Sequence, residues 1–87
     1  MDLHAVLVDV GRRVAELRAA RGMTQEELAD AAGLDVSTLR KVEHGERNVT
    51  MRTIVTVAGA LGCETPAPLF ESPSTPRARP GRPRRRP

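Results

Sequence analysis

Apolar residues recur every three or four positions near the start of the chain, which is the spacing of one face of an α-helix. The members of this face are Leu3, Val6, Leu7, Val10, Val14 and Leu17. Asp2 can cap the N-terminus, and the helix is predicted to end near Arg21 and Gly22. Gly11 lies inside this helix, where it is expected to lower stability by about 1 kcal/mol relative to alanine.

A second helix is predicted over about residues 24–32. Thr24 and Glu27 can form a capping box at its start, because each side chain can accept a hydrogen bond from the other residue's backbone N–H. Gly33 is expected to end the helix, since glycine adopts a left-handed conformation at little cost. The apolar stripe of this helix is Leu28, Ala29 and Ala32.

A third helix is predicted over about residues 36–44, with Asp35 as its cap and Gly45 as its end. Its inward positions are Leu39, Val42 and, in part, Val36. Two helices joined by a glycine-containing turn of this length have the geometry of a helix-turn-helix.

A fourth helix is predicted over residues 51–61, with Thr50 as its cap. Its β-branched centre would also permit a strand, but the spacing of its apolar positions favours a helix. Those positions are Ile54, Val57, Ala58 and Leu61. After Thr65 and Pro66 only a turn or two of helix is expected, and the last core residues are predicted to be Leu69 and Phe70. The predicted fold class is therefore all-α, with four helices and a short fifth.

Charge divides the chain into two parts. Residues 1–71 contain eight Lys or Arg and eleven Asp or Glu, a net charge of −3, whereas residues 72–87 contain six Arg and no acid. The first part is predicted to be the folded domain. The second consists of little besides Ser, Pro, Arg and Gly, so it has nothing to bury and is predicted to be a disordered basic tail.

Several classes of protein are not supported by the sequence. The single cysteine, Cys63, excludes an internal disulfide, and no apolar run approaches the ~20 residues that span a bilayer. The sequence contains none of the usual catalytic or metal-binding patterns: no paired acids, no nucleophile beside a base, no phosphate-binding glycine loop and no metal-ligand spacing. We therefore expect a cytoplasmic protein that is not an enzyme and carries no metal or cofactor.

A set of residues in fixed register carries a resemblance to a known family. The set is Arg18, Arg21-Gly22-Met23-Thr24-Gln25, Leu28-Ala29, Gly33-Leu34, Leu39, Val42-Glu43-x-Gly45, Arg47-Asn48, Thr50 and Ala58-x-x-Leu61-Gly62. Over about residues 5–71 the chain thus resembles the lambda-repressor-like DNA-binding domains of the xenobiotic-response-element type. The resemblance implies a transcription regulator, most simply a repressor that binds double-stranded DNA at a two-fold operator as a homodimer.

The resemblance also implies roles for individual residues. In such domains the third helix lies in the major groove, where its outward residues would read bases: Val36, Ser37, Arg40 and Lys41. Phosphate contacts are implied for Thr24, Gln25, Arg47, Asn48, Thr50 and Arg52. Arg18 and Glu43 would form a structural ion pair. The alternatives are a solvated helix face and a polar loop, and Asp35 could accept from a cytosine amino group instead of acting as a plain cap.

The tail is similar to an AT-hook at Gly81-Arg82-Pro83 but departs from it at Pro80. DNA contacts are predicted for Arg79, Arg82, Arg84, Arg85 and Arg86. A minor-groove arm and a generic polycationic tail both remain open.

Two other functions are compatible with the sequence. One is the DNA-binding antitoxin of a toxin–antitoxin pair. The other is an adaptor that binds a protein partner through the tail or the surface of helices four and five, which the −3 charge of residues 1–71 favours.

The homodimer that the resemblance implies is expected to pair through Gly59, Gly62, Leu69 and Phe70.

Overall fold

The computed structural model describes residues 1–46 and 49–74. Within these residues there are four α-helices, followed by one short 3-10 helix: α1 (Leu3–Ala20), α2 (Gln25–Ala32), α3 (Val36–His44), α4 (Met51–Ala60) and η1 (Ala67–Phe70). The described ranges contain no strand, so the predicted all-α class is confirmed. None of the described helices has both the length and the apolar composition needed to cross a membrane.

The N-termini of the helices are capped largely as predicted. Asp2 accepts from the backbone N–H of His4 at 3.0 Å, and Thr50 accepts from that of Thr53 at 3.1 Å. The capping box at the start of α2 is complete. Asp35 is the exception, because its carboxylate makes no capping hydrogen bond to α3. Asp35 is exposed, so water can satisfy the first N–H groups of α3 in its place.

The core is aliphatic and receives residues from every element. It consists of Val10, Val14, Leu28, Ala29, Ala32, Leu39, Ile54, Val57, Ala58, Leu61 and Leu69. Two apolar residues are exposed against expectation: Leu3, a member of the predicted apolar face of the first helix, at 61%, and Phe70, a predicted core residue, at 52%. Leu3 lies in the first turn of α1, at the end of that helix. Phe70 follows the fully buried Leu69 in η1, where successive side chains diverge by roughly a third of a turn.

Helices α1 and α3 meet through their backbones at Gly11. A Cβ atom on Gly11 would lie 2.3 Å from the carbonyl oxygen of Val42 and 2.6 Å from that of Glu43. At the end of α3, Gly45 has a φ of 68°, and a Cβ there would lie 2.7 Å from the Cα of Val8. Glycine is therefore required at both contacts, and Gly11, which weakens an isolated helix, allows this one to pack.

The segment after α4 is fastened to α1 by polar contacts. Arg13 donates from Nε to the carbonyl oxygen of Pro68 at 2.8 Å and from Nη2 to Glu71 Oε1 at 2.7 Å. The backbone N–H of Ser74 donates to Glu16 Oε1 at 3.0 Å. These bonds place η1 against α1, where Leu69 completes the core.

Candidate nucleic-acid interface

Helices α2 and α3 are joined by the short turn 33–35, in which Gly33 has the left-handed φ of 71°. The buried side of α3 is formed by Leu39, Val42 and Glu43. The opposite side faces solvent, and its position is fixed by the contact of α3 with α1. A short helix with one anchored side and one open side suits insertion into the major groove.

Three of the four predicted base-reading residues lie on the open side of α3. Ser37, Arg40 and Lys41 are exposed, and their spacing of three and four residues places them on one face. Val36 is half-buried and packs against the core. It therefore offers only part of its side chain to a thymine methyl group.

Arg40 does not extend freely from α3 but bonds to the first turn of α2. Its Nε donates to Gln25 Oε1 at 3.3 Å, and its Nη2 donates to Glu26 Oε2 at 3.3 Å. Both members of the Arg40–Glu26 pair are about half exposed or more. Sequence reasoning missed Glu26, because a contact across 14 positions leaves no signal in local spacing.

Gln25 connects this exposed contact to a buried ion pair. Its Nε2 donates to Glu43 Oε1 at 2.9 Å while its Oε1 accepts from Arg40. Arg18 donates a hydrogen bond to each carboxylate oxygen of Glu43, from Nε to Oε2 at 2.7 Å and from Nη2 to Oε1 at 3.2 Å. The side chain of Glu43 is only 5% exposed and that of Arg18 is 20% exposed. Hydrogen bonds thus run without a break from the interior to the open side of α3.

The other predicted phosphate contacts lie at helix N-termini. Thr24 caps α2, Thr50 caps α4, and Arg52 is exposed in the first turn of α4. Exposed N–H groups and partial positive charge at such termini favour a phosphate. DNA contacts were also predicted for residues that lie outside the described ranges, namely Arg47, Asn48 and the tail residues Arg79, Arg82, Arg84, Arg85 and Arg86. DNA contact by any of these residues stays a prediction.

Metal chemistry finds no support in residues 1–46 and 49–74, which contain no group of three or more His, Cys, Asp or Glu side chains that could hold an ion. Cys63 is a half-buried free thiol there.

The sequence over residues 14–67, more than half of the chain, matches the family model described as helix-turn-helix. The chain belongs to the helix-turn-helix family. The matched segment contains α2, the turn and α3, together with the last part of α1 and all of α4.

Relatives of this helix-turn-helix protein include a phage repressor and restriction-modification controllers. The immunity repressor of Bacillus phage phi105 is 40% identical over 62 residues, which are 71% of this chain but 43% of the repressor. The controller protein C.AhdI from Aeromonas hydrophila has 48% sequence identity and a TM-score of 0.73, covering 76% of this chain and 98% of that one. The controller C.Esp1396I, solved as a tetramer with its natural 35 base-pair operator, has 29% identity and a TM-score of 0.65, covering 68% of this chain and 78% of that one.

Proposed function

We propose that this helix-turn-helix protein is a cytoplasmic, sequence-specific regulator of transcription that binds a two-fold DNA operator as a homodimer and catalyses no reaction. The observation that carries this proposal is the open face of α3, which presents Ser37, Arg40 and Lys41 from a helix fixed to the rest of the domain. Side chains on such a face can reach base edges in the major groove.

The relatives favour a more specific role within this class. Similarity to C.AhdI extends over nearly the whole of that controller, and C.Esp1396I is a controller solved on its operator. We therefore favour a controller-type regulator over the antitoxin and adaptor alternatives. The phage repressor supports repression as one mode of action, although the chain spans less than half of that protein.

Charge constrains how such a regulator would hold DNA. Residues 1–71 carry a net charge of −3, so bulk attraction to phosphate contributes little within the domain. Affinity is then expected to depend on directed contacts from α3 and the helix N-termini. The six arginines of residues 72–87 would add phosphate neutralisation that carries little sequence information.

Replacing Arg40 or Lys41 with alanine tests the recognition face. Each loss of a bidentate base contact is expected to weaken binding to a site selected from random DNA by ~1–3 kcal/mol, while binding to random duplex changes less. The measurement is a titration of selected and random duplexes at one salt concentration. Arg21→Ala is a matched control, because it removes an exposed cation at the end of α1. If both α3 variants bind the selected site as tightly as the parent, α3 is not the reading helix.

An exposed apolar stripe on α4 is the best candidate for the dimer interface. Met51 is 61% exposed and Val55 is 51% exposed, and Gly59 lies four residues further along the same face with open space above it. Leu69, which sequence reasoning assigned to this interface, is fully buried in the core and cannot pair with a second copy. Gly59, Gly62 and Phe70 are exposed, as that assignment required.

Val55→Glu should therefore convert the dimer to a monomer, because it places a charge in the centre of this apolar contact. Sedimentation velocity over a range of protein concentrations measures the change. Ala20→Glu, at an exposed position near the end of α1, is the control and should sediment as the parent does. A Val55→Glu protein that sediments with the parent would exclude this face as the interface.

A further inference from the structure

The guanidinium of Arg40 is held along one of its two hydrogen-bonding edges. A guanidinium is a planar group with five N–H donors. The side edge consists of Nε and Nη2, and these are the atoms that donate to Gln25 and Glu26. The end edge, formed by Nη1 and the second N–H of Nη2, takes no part in these contacts.

We infer that Gln25 and Glu26 are positioning residues for Arg40, and that they turn its end edge toward a guanine base. The inference rests on the proposed function. Guanine presents O6 and N7 together in the major groove, and a paired arginine edge matches these two acceptors. Holding the side edge fixes the plane of the guanidinium before DNA arrives. The orientation that reads guanine is then already populated in the free protein.

Gln25 transmits this orientation from the rigid part of the domain. Its amide is fixed at both ends, because Nε2 bonds to the buried Glu43 and Oε1 bonds to Arg40. Glu43 is itself held by both nitrogens that Arg18 directs toward it. Hydrogen bonds through Gln25 and Glu43 therefore connect Arg40 to the core, although the side chain of Arg40 is 49% exposed.

The ion pair of Glu26 with Arg40 is not explained by a contribution to the stability of the fold. Its side chain is 66% exposed, and ion pairs between exposed groups add little to the free energy of folding. A carboxylate beside a DNA-binding face also repels phosphate. Its value is that it competes with phosphate for Arg40, so that the arginine spends less time turned toward the DNA backbone. Glu26 thereby favours the base contact over binding to the DNA backbone.

Base preference at each position of a selected operator tests the inference. Arg40→Ala should relax the preference for guanine at one position in each half-site, by about 5- to 150-fold. Glu26→Ala should relax the same position by roughly threefold or more and should raise affinity for random duplex. In the Arg40→Ala background, Glu26→Ala should have no further effect on that position. Asp30→Ala is the control, since it removes another exposed carboxylate from α2 and has no ion pair in the described structure.

Several results of this experiment would overturn the inference. The inference is overturned if Glu26→Ala leaves the guanine preference unchanged, or if Asp30→Ala relaxes it equally. It is also overturned if Glu26→Ala relaxes it further when Arg40 is absent. If the parent protein enriches no sequence in a selection from random DNA, the proposed function itself is overturned, and the inference with it. Circular dichroism of each variant confirms that the helices are retained.

Discussion

Gly11→Ala is expected to destabilise the domain by about 3 kcal/mol, at the upper end of what overpacking of a core costs. Alanine is the better helix former by about 1 kcal/mol, so helix propensity alone predicts the opposite sign. Packing decides the outcome, because the new methyl group would lie 2.3 Å from the carbonyl oxygen of Val42. That atom belongs to the backbone of α3, which cannot turn aside as a flexible side chain can. Urea unfolding measures the effect.

Gly59→Ala is the matched control for this substitution. Gly59 also lies inside a helix, but a Cβ there would meet nothing within 4 Å. The same chemical change should then stabilise the domain by roughly 0.5–1 kcal/mol. The two variants are compared at one protein concentration, since Gly59 lies on the candidate dimer face. If Gly11→Ala were as stable as the parent, the close contact between α1 and α3 would be wrong.

Glu43→Ala is expected to cost about 3–5 kcal/mol, because it leaves the Arg18 guanidinium without its counter-ion in a largely buried position. The loss includes two hydrogen bonds from Arg18 and one from Gln25. Small domains have total stabilities of about 5–15 kcal/mol, so much of the fold's stability depends on this carboxylate. Thermal unfolding should show a midpoint lower by roughly 15 °C or more.

Arg18→Ala should be similarly damaging, and removing both partners should cost less than the sum of the single changes. Glu71→Ala provides the comparison, because Glu71 pairs with Arg13 at the same 2.7 Å but is 61% exposed. Its loss should cost no more than about 1 kcal/mol. Equal effects of Glu43→Ala and Glu71→Ala would show that burial does not distinguish the two ion pairs.

Local signals in the sequence predicted the helices and most of their ends. The capping box of Thr24 and Glu27 and the glycine ends of α2 and α3 need only neighbouring residues, so they could be read directly. Asp35 shows the limit of that reading. The type of residue at a cap position indicates where a helix begins, but it does not determine whether the side chain makes the bond when water is available.

Features that depend on tertiary packing could not be predicted in the same way. Gly11 looked like a weak point in α1 because its compensating contact lies more than thirty residues away in α3. The bonds from Arg40 to Gln25 and Glu26 cross 15 and 14 positions, beyond any helical period. Phe70 is apolar and was therefore predicted to be a core residue beside Leu69. The turn of η1 directs only the Leu69 side chain into the core and leaves Phe70 exposed.

Gly11 and Gly45 hold the second half of α3 against α1 at two successive places, both through main-chain atoms. Movement of α3 toward α1 would press one backbone into the other, and movement away would open gaps at both glycines. In the proposed complex, a mismatch between this helix and an operator is therefore expected to be absorbed mainly by the duplex, through bending or a change of groove width. The energy of such deformation depends on base sequence, so base pairs that no side chain touches would still influence which operators are bound.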